Sequence, residues 1–458
     1  MLNRKIAVFA VVVGLGGQGQ FASATEVFQL EGFGAVSRAM GGTAVAHDVG
    51  VAGMMTNPAT LSLSPHDHQV LVGLDIVTTD IEVENRASGE SATSRTHSSN
   101  RGPYLAPEIA YAVRAGQWTL GVGAFARGGL GTEFGKNSFL SKGTGGDATG
   151  LENSSRLLVL DIPFAASYKV DDDLSIGASV DAMWQGLNLD MLLRADQVGS
   201  LVGSGRAEGS LVPVLGSIPG LQGAHFSLTR NQPIASGTNA WGYAGRVGLV
   251  YKTSPATTIG AAYAFESRMN DMKGNATLTA VSGVAGQIPL SGKIRVEDFR
   301  MPARLDMGVS HRLTDKWAVA ADVSRVFWKN VMKDIKVGFE ADGGGNLNVQ
   351  LPQDYRDQTI LALGTSYALT PEWTLRGGLR FASQALRKET LFAVIPAIPT
   401  RHLSLGVSYA ASPTSRIDLA YSHAFRASMS NASLPNTADP IRVSHSQDNA
   451  TLNYTFLF

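Results

Sequence analysis

The chain has 458 residues, of which 44% are apolar and only 17% are charged, and it contains no cysteine. Its net charge of +0 gives no electrostatic reason to expect a nucleic-acid partner, which needs a basic face. The absence of cysteine excludes thiolate zinc sites, cysteine nucleophiles and disulfides. Glycine is enriched, at 51 residues, against roughly 7% in average usage.

The first 24 residues are typical of a secretion signal. Arg4 and Lys5 precede an apolar run at residues 6–15, and the small residues Ala22 and Ala24 follow. The run is too short to cross a bilayer, which takes roughly 20 helical residues. We therefore predict a signal peptide over residues 1–24, with a buried N-terminal helix as the alternative.

From residue 69 onward, apolar and polar residues alternate with a period of two, which is typical of strands with two different faces. In the last strand, for example, Leu452, Tyr454 and Phe456 share one parity, and polar residues lie between them. The pattern predicts fourteen strands. They cover residues 69–83, 105–113, 117–127, 154–170, 173–191, 239–252, 257–271, 298–312, 316–331, 355–369, 372–386, 400–411, 415–428 and 446–458.

The connections between these strands alternate strictly between long and short. The alternation of residues alone also fits a soluble sandwich with one wet face. Long loops at one end and tight turns at the other favour an outer-membrane barrel. The predicted fold is therefore an all-β, 14-stranded antiparallel transmembrane β-barrel over residues 69–458, in the cell outer membrane and surrounded by its lipid.

The tryptophans give an independent indication, because indole rings prefer the interface between membrane and water. All six are predicted to lie near strand ends, in two belts. Trp118, Trp317 and Trp373 fall beside short turns, and Trp184, Trp241 and Trp328 fall toward the long loops.

Residues 25–68 show no alternation and are rich in Gly, Ala and Met. A barrel of fourteen strands leaves an aqueous lumen unless something fills it. This segment is therefore predicted to be an N-terminal plug (hatch) inside the lumen. A disordered periplasmic tail is the alternative, but Phe28, Phe33 and Met54 are unusual for a disordered tail.

Several motifs resemble the FadL, or long-chain fatty acid transporter, family of outer-membrane proteins, which includes aromatic-hydrocarbon channels. The most specific is Asn57-Pro58-Ala59-Thr60-Leu61, just before the first strand. Further matching runs are Ser37 to Gly42, Gly129 to Phe134, Met301 to Arg304 and Trp373 to Gly378. The resemblance covers the whole chain after the signal peptide.

The resemblance implies a diffusion channel in which a hydrophobic ligand is captured by external loops and then bound inside the barrel. A hatch movement releases the ligand sideways at an inward kink of the third strand. Hatch and gating residues are then Asn57, Pro58 and Ala59. The kink is expected near residues 126–134, with Arg127, Gly128, Gly129, Gly131 and Phe134.

Strand parity predicts the residues that face the lumen. Leu157, Val159 and Met183 point inward and give a partly apolar interior, so they are candidate ligand contacts. Arg304, Arg376 and Arg380 also point inward, where a guanidinium can bind a carboxylate head group. The alternative is a structural network in which inward arginines pair with Asp161, Asp181, Asp306 and Asp418.

The longest loop carries many apolar residues, among them Leu201, Leu211, Val214 and Leu215. In an exposed loop such residues form an adhesive landing surface for hydrophobic ligands. A loop that folds on itself as a small apolar lid is the alternative.

The sequence thus predicts a monomeric channel that passes hydrophobic small molecules, long-chain fatty acids first, without a cofactor, a metal or enzymatic chemistry. An aromatic-hydrocarbon channel, an adhesin or structural barrel, and an outer-membrane lipase are the alternatives. Ser422 and His423 do not support a lipase, because neighbours along a strand point to opposite faces.

Overall fold

The computed structural model describes residues 27–95, 103–228 and 237–458, so the predicted signal peptide lies outside the described residues. The described strands join into one sheet of 22 strands. The alternation predicts fourteen, and the difference arises because connections that the prediction treats as loops carry further strands. Within the described residues, no helix is long and apolar enough to cross a membrane.

The elements have the following bounds. The strands are β1 His68–Asn85, β2 Ser91–Arg95, β3 Tyr104–Ala115, β4 Trp118–Gly135, β5 Asn153–Lys169, β6 Leu174–Arg194, β7 Ala207–Glu208, β8 Leu221–Leu228, β9 Asn239–Ser254, β10 Thr257–Ala264, β11 Arg268–Met269, β12 Met272–Ser282, β13 Gly286–Glu297, β14 Arg304–Arg312, β15 Trp317–Val326, β16 Asp334–Ala341, β17 Asn346–Pro352, β18 Gln358–Ala368, β19 Trp373–Ala382, β20 Arg401–Ser412, β21 Ser415–Asn431 and β22 Ile441–Leu457. The α-helices are α1 Gly34–Ala39, α2 Ala195–Gly203, α3 Leu211–Gly216 and α4 Trp328–Val331, and 3₁₀ turns cover Val51–Met55, Pro58–Leu63, Phe139–Ser141 and Lys388–Thr390.

Antiparallel pairing closes the sheet into a ring. The ring runs β1, β3, β4, β5, β6, β9, β10, β14, β15, β18, β19, β20, β21, β22 and back to β1. The first and last strands pair from Gln69 opposite Leu457 to Asn85 opposite Ile441. The eight remaining strands lie in the long connections at one end. Closure removes the free edges that an open sheet would expose.

The ring has an apolar outside and a mainly polar inside, as the alternation predicts. On β22, Leu452 and Phe456 are about half exposed, whereas Asn453 and Thr455 are buried. The tryptophan belts are confirmed only in part. Trp118, Trp241, Trp317 and Trp373 are exposed, but Trp328 is fully buried in α4, because the predicted strand 316–331 ends at Val326.

The long connections pack into an apolar core at one end of the ring. Leu201 of α2, together with Leu211 and Leu215 of α3, is buried in this core. Val202 and Val214 remain exposed. The longest loop therefore packs these three leucines against other long connections, and only part of its apolar surface faces outward.

Residues 33–63, which we call the body, contain α1 and two of the 3₁₀ turns. Their contacts reach across the ring. The amide of Ala35 donates to Asn453 Oδ1 on β22 at 2.6 Å, and Asn57 Nδ2 donates to the Leu249 carbonyl on β9, on the other side, at 3.0 Å. The body thus contacts strands on opposite sides of the ring.

Candidate functional site

The pairing between β3 and β4 stops halfway along the two strands. It runs from Ala115 opposite Trp118 only as far as Glu108 opposite Phe125. The rest of β3 keeps β1 as its partner, and the rest of β4 keeps β5. Pro107 is the first β3 residue beyond the paired stretch, and it has no N–H to donate. The wall therefore contains a gap between residues 104–107 and the second half of β4.

The second half of β4 is irregular at two places. Its register with β5 shifts between Ala126 and Gly128, and again between Glu133 and Gly135. Such bulges bend a strand and increase its twist. Residues 129–134, which the sequence analysis places after the strand, belong to β4 itself, because the strand continues through the bend to Gly135.

Residues 27–30, which we call the leading segment, lie along β4 at the gap. Leu30 N donates to the Arg127 carbonyl at 3.2 Å, and Gly129 N donates to the Phe28 carbonyl at 2.7 Å. Gly128 is required at this approach, because a Cβ at position 128 would collide with the Phe28 carbonyl. The leading segment thus pairs with β4 beside the stretch of β4 that does not pair with β3.

A cavity of about 580 Å³ opens at this gap. It is lined by residues 103–107 of the β3 side, 128–131 of β4, 156–158 of β5 and part of the leading segment. Leu157 is buried and faces inward, whereas its neighbour Leu158 is half-buried on the outer face, and both line the cavity. The lining of the cavity therefore includes residues of both faces of β5, beside the gap between β3 and β4.

The inner end of the cavity borders an aromatic cluster around Phe28. The Phe28 ring lies 6.0 Å from Phe299, 5.7 Å from Trp328 and 6.3 Å from Tyr355, measured between centroids. A second, smaller cavity of about 30 Å³ lies beside Phe28 and Phe299 and shares Leu157 with the first. Phe28 therefore lines the smaller cavity, while its neighbours Val27 and Gln29 line the larger one.

Among the predicted ligand contacts, Leu157 lines both cavities. Val159 and Met183 are buried in the adjoining apolar core and line neither cavity. Of the predicted kink residues, Gly128, Gly129 and Gly131 line the larger cavity. Arg127 is held by Asp161 at 2.9 Å, and Phe134 is buried in the apolar core.

The three predicted arginines lie elsewhere in the lumen and contact protein groups. Arg304 pairs with Asp306 at 2.7 Å, Arg376 donates to Ser408, and Arg380 donates to the Gly41 carbonyl at 3.0 Å. None of them lines the larger cavity. Of these contacts, the pair of Arg304 with Asp306 is one that the structural-network alternative names, whereas the contacts given for Arg376 and Arg380 are to a serine and a backbone carbonyl. The arginine that does line the larger cavity, among the described residues, is Arg156.

The predicted gating residues hold the body against the ring. Asn57 Nδ2 donates to the carbonyls of Val45 and Leu249 at 2.8 and 3.0 Å, and its Oδ1 accepts from Ala59 N at 3.1 Å. Pro58 follows as the first residue of a 3₁₀ turn, where its missing N–H costs nothing. Arg38 of α1 adds a buried ion pair with Asp75 of β1 at 2.8 Å.

Glu31 joins the leading segment to the body. Burial alone would raise the pKa of its carboxyl group. Arg38, His402 and hydrogen bonds from Ser422 and Asn449 more than offset that effect and lower the pKa to about 2. Glu31 is therefore ionised at neutral pH, and it also lines the larger cavity.

Comparison with known proteins identifies the chain at the family level. Residues 15–455 match the family described as outer membrane protein transport protein (OMPP1/FadL/TodX). The chain belongs to this family.

Two solved structures are similar to this chain along nearly its whole length. The toluene transporter TbuX of Ralstonia pickettii is 45% identical, with a TM-score of 0.80, over 94% of this chain and 99% of that one. The toluene transporter TodX of P. putida is 41% identical, with a TM-score of 0.84, over 94% and 99%. A curated relative, the long-chain fatty acid transport protein of Salmonella typhi, is 23% identical over 412 residues, or 86% of each chain.

Membership of the OMPP1/FadL/TodX family makes the chain an outer-membrane β-barrel channel for hydrophobic compounds. The family is one of transport channels and not of enzymes. The lipase alternative therefore has no support, and the specific ligand is a separate question.

Sequence reasoning missed several residues of the larger cavity. Tyr104, Arg156, His402 and His445 all line it, and none was a candidate. One local signal was present, namely the prolines at 103 and 107, which interrupt hydrogen bonding on either side of Tyr104. The contacts of the other three residues depend on distant parts of the chain.

Proposed function

We propose that this protein is a passive outer-membrane channel for small neutral hydrophobic molecules, monoaromatic hydrocarbons first, which leave the barrel sideways between β3 and β4. The observation that carries the proposal is the cavity of about 580 Å³, whose walls include the inward face of β5 at Leu157 and its outward face at Leu158. A route through the wall delivers an apolar molecule to lipid without passage through the polar end of the lumen.

In this proposal the fourteen strands of the ring span the membrane, and residues 25–68 form the plug. The body keeps water and polar solutes from passing, because its buried polar contacts extend across the lumen. The leading segment closes the inner side of the lateral cavity. Each chain contains a complete cavity, so a single copy is sufficient for transport, and no cofactor takes part.

The lining of the cavity supports a neutral ligand. Burying a carboxylate is costly unless a cation pairs with it. Arg304, Arg376 and Arg380 are engaged with protein groups outside the cavity. The similar structures named as toluene transporters are also 41–45% identical, against 23% for the fatty acid relative.

Long-chain fatty acids are the second candidate. The Salmonella typhi relative is named a long-chain fatty acid transport protein, and Arg156 places one guanidinium at the edge of the cavity. In this alternative the apolar tail occupies the cavity, and the carboxylate lies at its rim beside Arg156.

Uptake of labelled toluene and labelled oleate, in a host that lacks its own channels of this family, tests the proposal. We expect the wild-type chain to increase toluene uptake strongly and oleate uptake weakly. The reverse order would favour the fatty acid channel. No increase for either compound would contradict transport and favour the adhesin or structural barrel.

A matched pair of variants tests the lateral route. Leu158 and Leu160 lie on the same face of β5, but only Leu158 lines the cavity. Leu158→Trp fills the outer mouth, so we expect it to abolish most toluene uptake, whereas Leu160→Trp leaves uptake at the wild-type rate. Equal uptake by the two variants, both assembled in the outer membrane, would contradict lateral exit.

A further inference from the structure

One aromatic side chain bridges the stretch where β3 and β4 share no backbone hydrogen bonds. Tyr104, the first residue of β3, packs its ring against Gly131 of β4, where a Cβ would collide with the ring. Arg156 lies opposite Gly131 in the β4–β5 ladder. Its guanidinium carbon is 5.2 Å from the centroid of the Tyr104 ring. The three residues therefore connect three strands at one point.

Strand parity shows on which side of the wall this contact lies. Tyr104 has the parity of the buried, inward-facing Ala106 and Glu108, while Leu105 between them is 56% exposed. Gly131 and Arg156 have the parity of the outer face, because Leu130 and Leu157 beside them face inward. The inner face of β3 therefore overlaps the outer face of the bent β4. The Tyr104 ring covers the gap from the lipid side.

This contact can hold β3 against β4 where the two strands share no backbone hydrogen bonds. A guanidinium above an aromatic face is attracted by the ring quadrupole, and the attraction is stronger where water is excluded. The absence of a side chain at Gly131 allows the ring to lie directly on the β4 backbone. All three residues line the cavity, so a change in their contact changes its outer mouth.

We propose that Tyr104 and Arg156, closed over Gly131, form a clasp that sets the width of the lateral opening and thus the largest rigid hydrocarbon that can leave through it. This proposal rests on the proposed lateral route. A single ring such as toluene passes beside the closed clasp. A wider, fused-ring molecule passes only when the tyrosine ring moves.

Relative uptake of naphthalene and toluene measures the clasp. Tyr104→Ala removes the ring, so we expect the naphthalene-to-toluene uptake ratio to rise about tenfold, the lower range for discrimination by pocket size. Tyr104→Phe keeps the ring and the wild-type ratio. Ile109→Ala is the control, because Ile109 is an exposed residue of β3 in the stretch that still pairs with β4. A ratio in Tyr104→Ala equal to that in wild type would overturn the clasp.

A chemical measurement separates failure of the clasp from failure of transport. The chain has no cysteine, so Ala106→Cys places one thiol in the cavity wall. We expect a lipid-soluble maleimide to alkylate this thiol about tenfold faster when Tyr104→Ala or Arg156→Met is added, in proportion to the opening of the mouth. Equal alkylation rates in the three backgrounds would overturn the clasp. Absence of toluene uptake by wild type would instead contradict the proposed function.

Discussion

The body and the leading segment both contact the ring, but they are held there by opposite kinds of force. The body, residues 33–63, is bound by buried charges and directed hydrogen bonds, such as Arg38 with Asp75 and the amides of Ala44 and Val45 with Asp322. The leading segment, residues 27–30, is bound by two backbone hydrogen bonds to β4 and by the packing of Phe28 among aromatic rings.

This difference assigns different roles to the two regions. Directed polar contacts are satisfied in one geometry, and a buried charge that loses its partner is costly. Apolar contacts are non-directional, so an apolar ligand can take the place of an apolar side chain. We therefore expect the body to stay in place during transport and the leading segment to exchange with the ligand.

The largest effect should follow from Arg38→Met. This change leaves Asp75 buried without its cation, and breaking a buried pair in this way costs about 3–5 kcal/mol. We expect faster hydrogen exchange at the amides of Ala35 and Ala44, and higher single-channel conductance as the body detaches. Arg387→Met is the control, because both partners of its pair with Asp354 are exposed and such a pair contributes about 0–1 kcal/mol. Equal effects in the two variants would contradict the role of buried charge.

Phe28→Ala should release the leading segment and leave the body docked. Loss of a buried phenylalanine costs about 3 kcal/mol where neighbouring side chains can close in. We therefore expect exchange at the amides of Leu30 and Gly129 to accelerate about 100-fold, with Ala35 and Ala44 unchanged. Phe33→Ala, which removes a ring of the body that packs on Phe125, should leave Leu30 and Gly129 at wild-type rates. Parallel acceleration in both regions would mean that they move as one unit.

Asn57→Ala should loosen the body without detaching it. The side chain makes three hydrogen bonds, and leaving such buried partners unsatisfied costs about 1–3 kcal/mol. We expect normal assembly, increased leak of small ions and slightly reduced toluene uptake. Ser62→Ala removes one part-buried hydrogen bond, to the Ala59 carbonyl, and serves as the control. Wild-type leak in Asn57→Ala would count against the role of this residue in holding the body in place.

The effect that is smallest at neutral pH concerns the protonation of Glu31, at the junction between the two regions. The pKa of Glu31 is lowered from 4.5 to about 2 in the folded protein, so its ionised form stabilises docking at all pH values above 4.5. That contribution is lost as the pH falls from 4.5 toward 2. We expect the exchange protection of Leu30, corrected for intrinsic rates, to be constant through the neutral range and to fall only in acid. In Glu31→Gln the acid-dependent loss should disappear, and its persistence would assign the titration to another group.

The sequence predicts the regular parts of this molecule better than its irregular ones. Alternation such as that of Leu452, Tyr454 and Phe456 is local, so it predicts strands and their lipid face directly. Trp328 was misplaced because it follows a strand pattern closely in sequence, while its burial depends on contact with Phe28 and Tyr355, far away in the chain.

The candidate site shows the same limit. Motif resemblance located Asn57 and the glycines at 128, 129 and 131, because these positions need particular residue types. The pairing of Arg304 with Asp306 follows from parity and was an open alternative. The contact of Tyr104 with Gly131 could not be predicted, since it depends on where the β3–β4 register stops, which no local pattern specifies.

A reversible staple between body and barrel tests the central claim that transport leaves the body in place. Ala39 of the body and Ala420 of β21 are buried and pack together, and the chain has no other thiol to interfere. A disulfide in Ala39→Cys/Ala420→Cys fixes the body to the wall, and reduction frees it. The account predicts equal toluene uptake by the oxidised and reduced forms. Uptake that stops on oxidation and returns on reduction would contradict it.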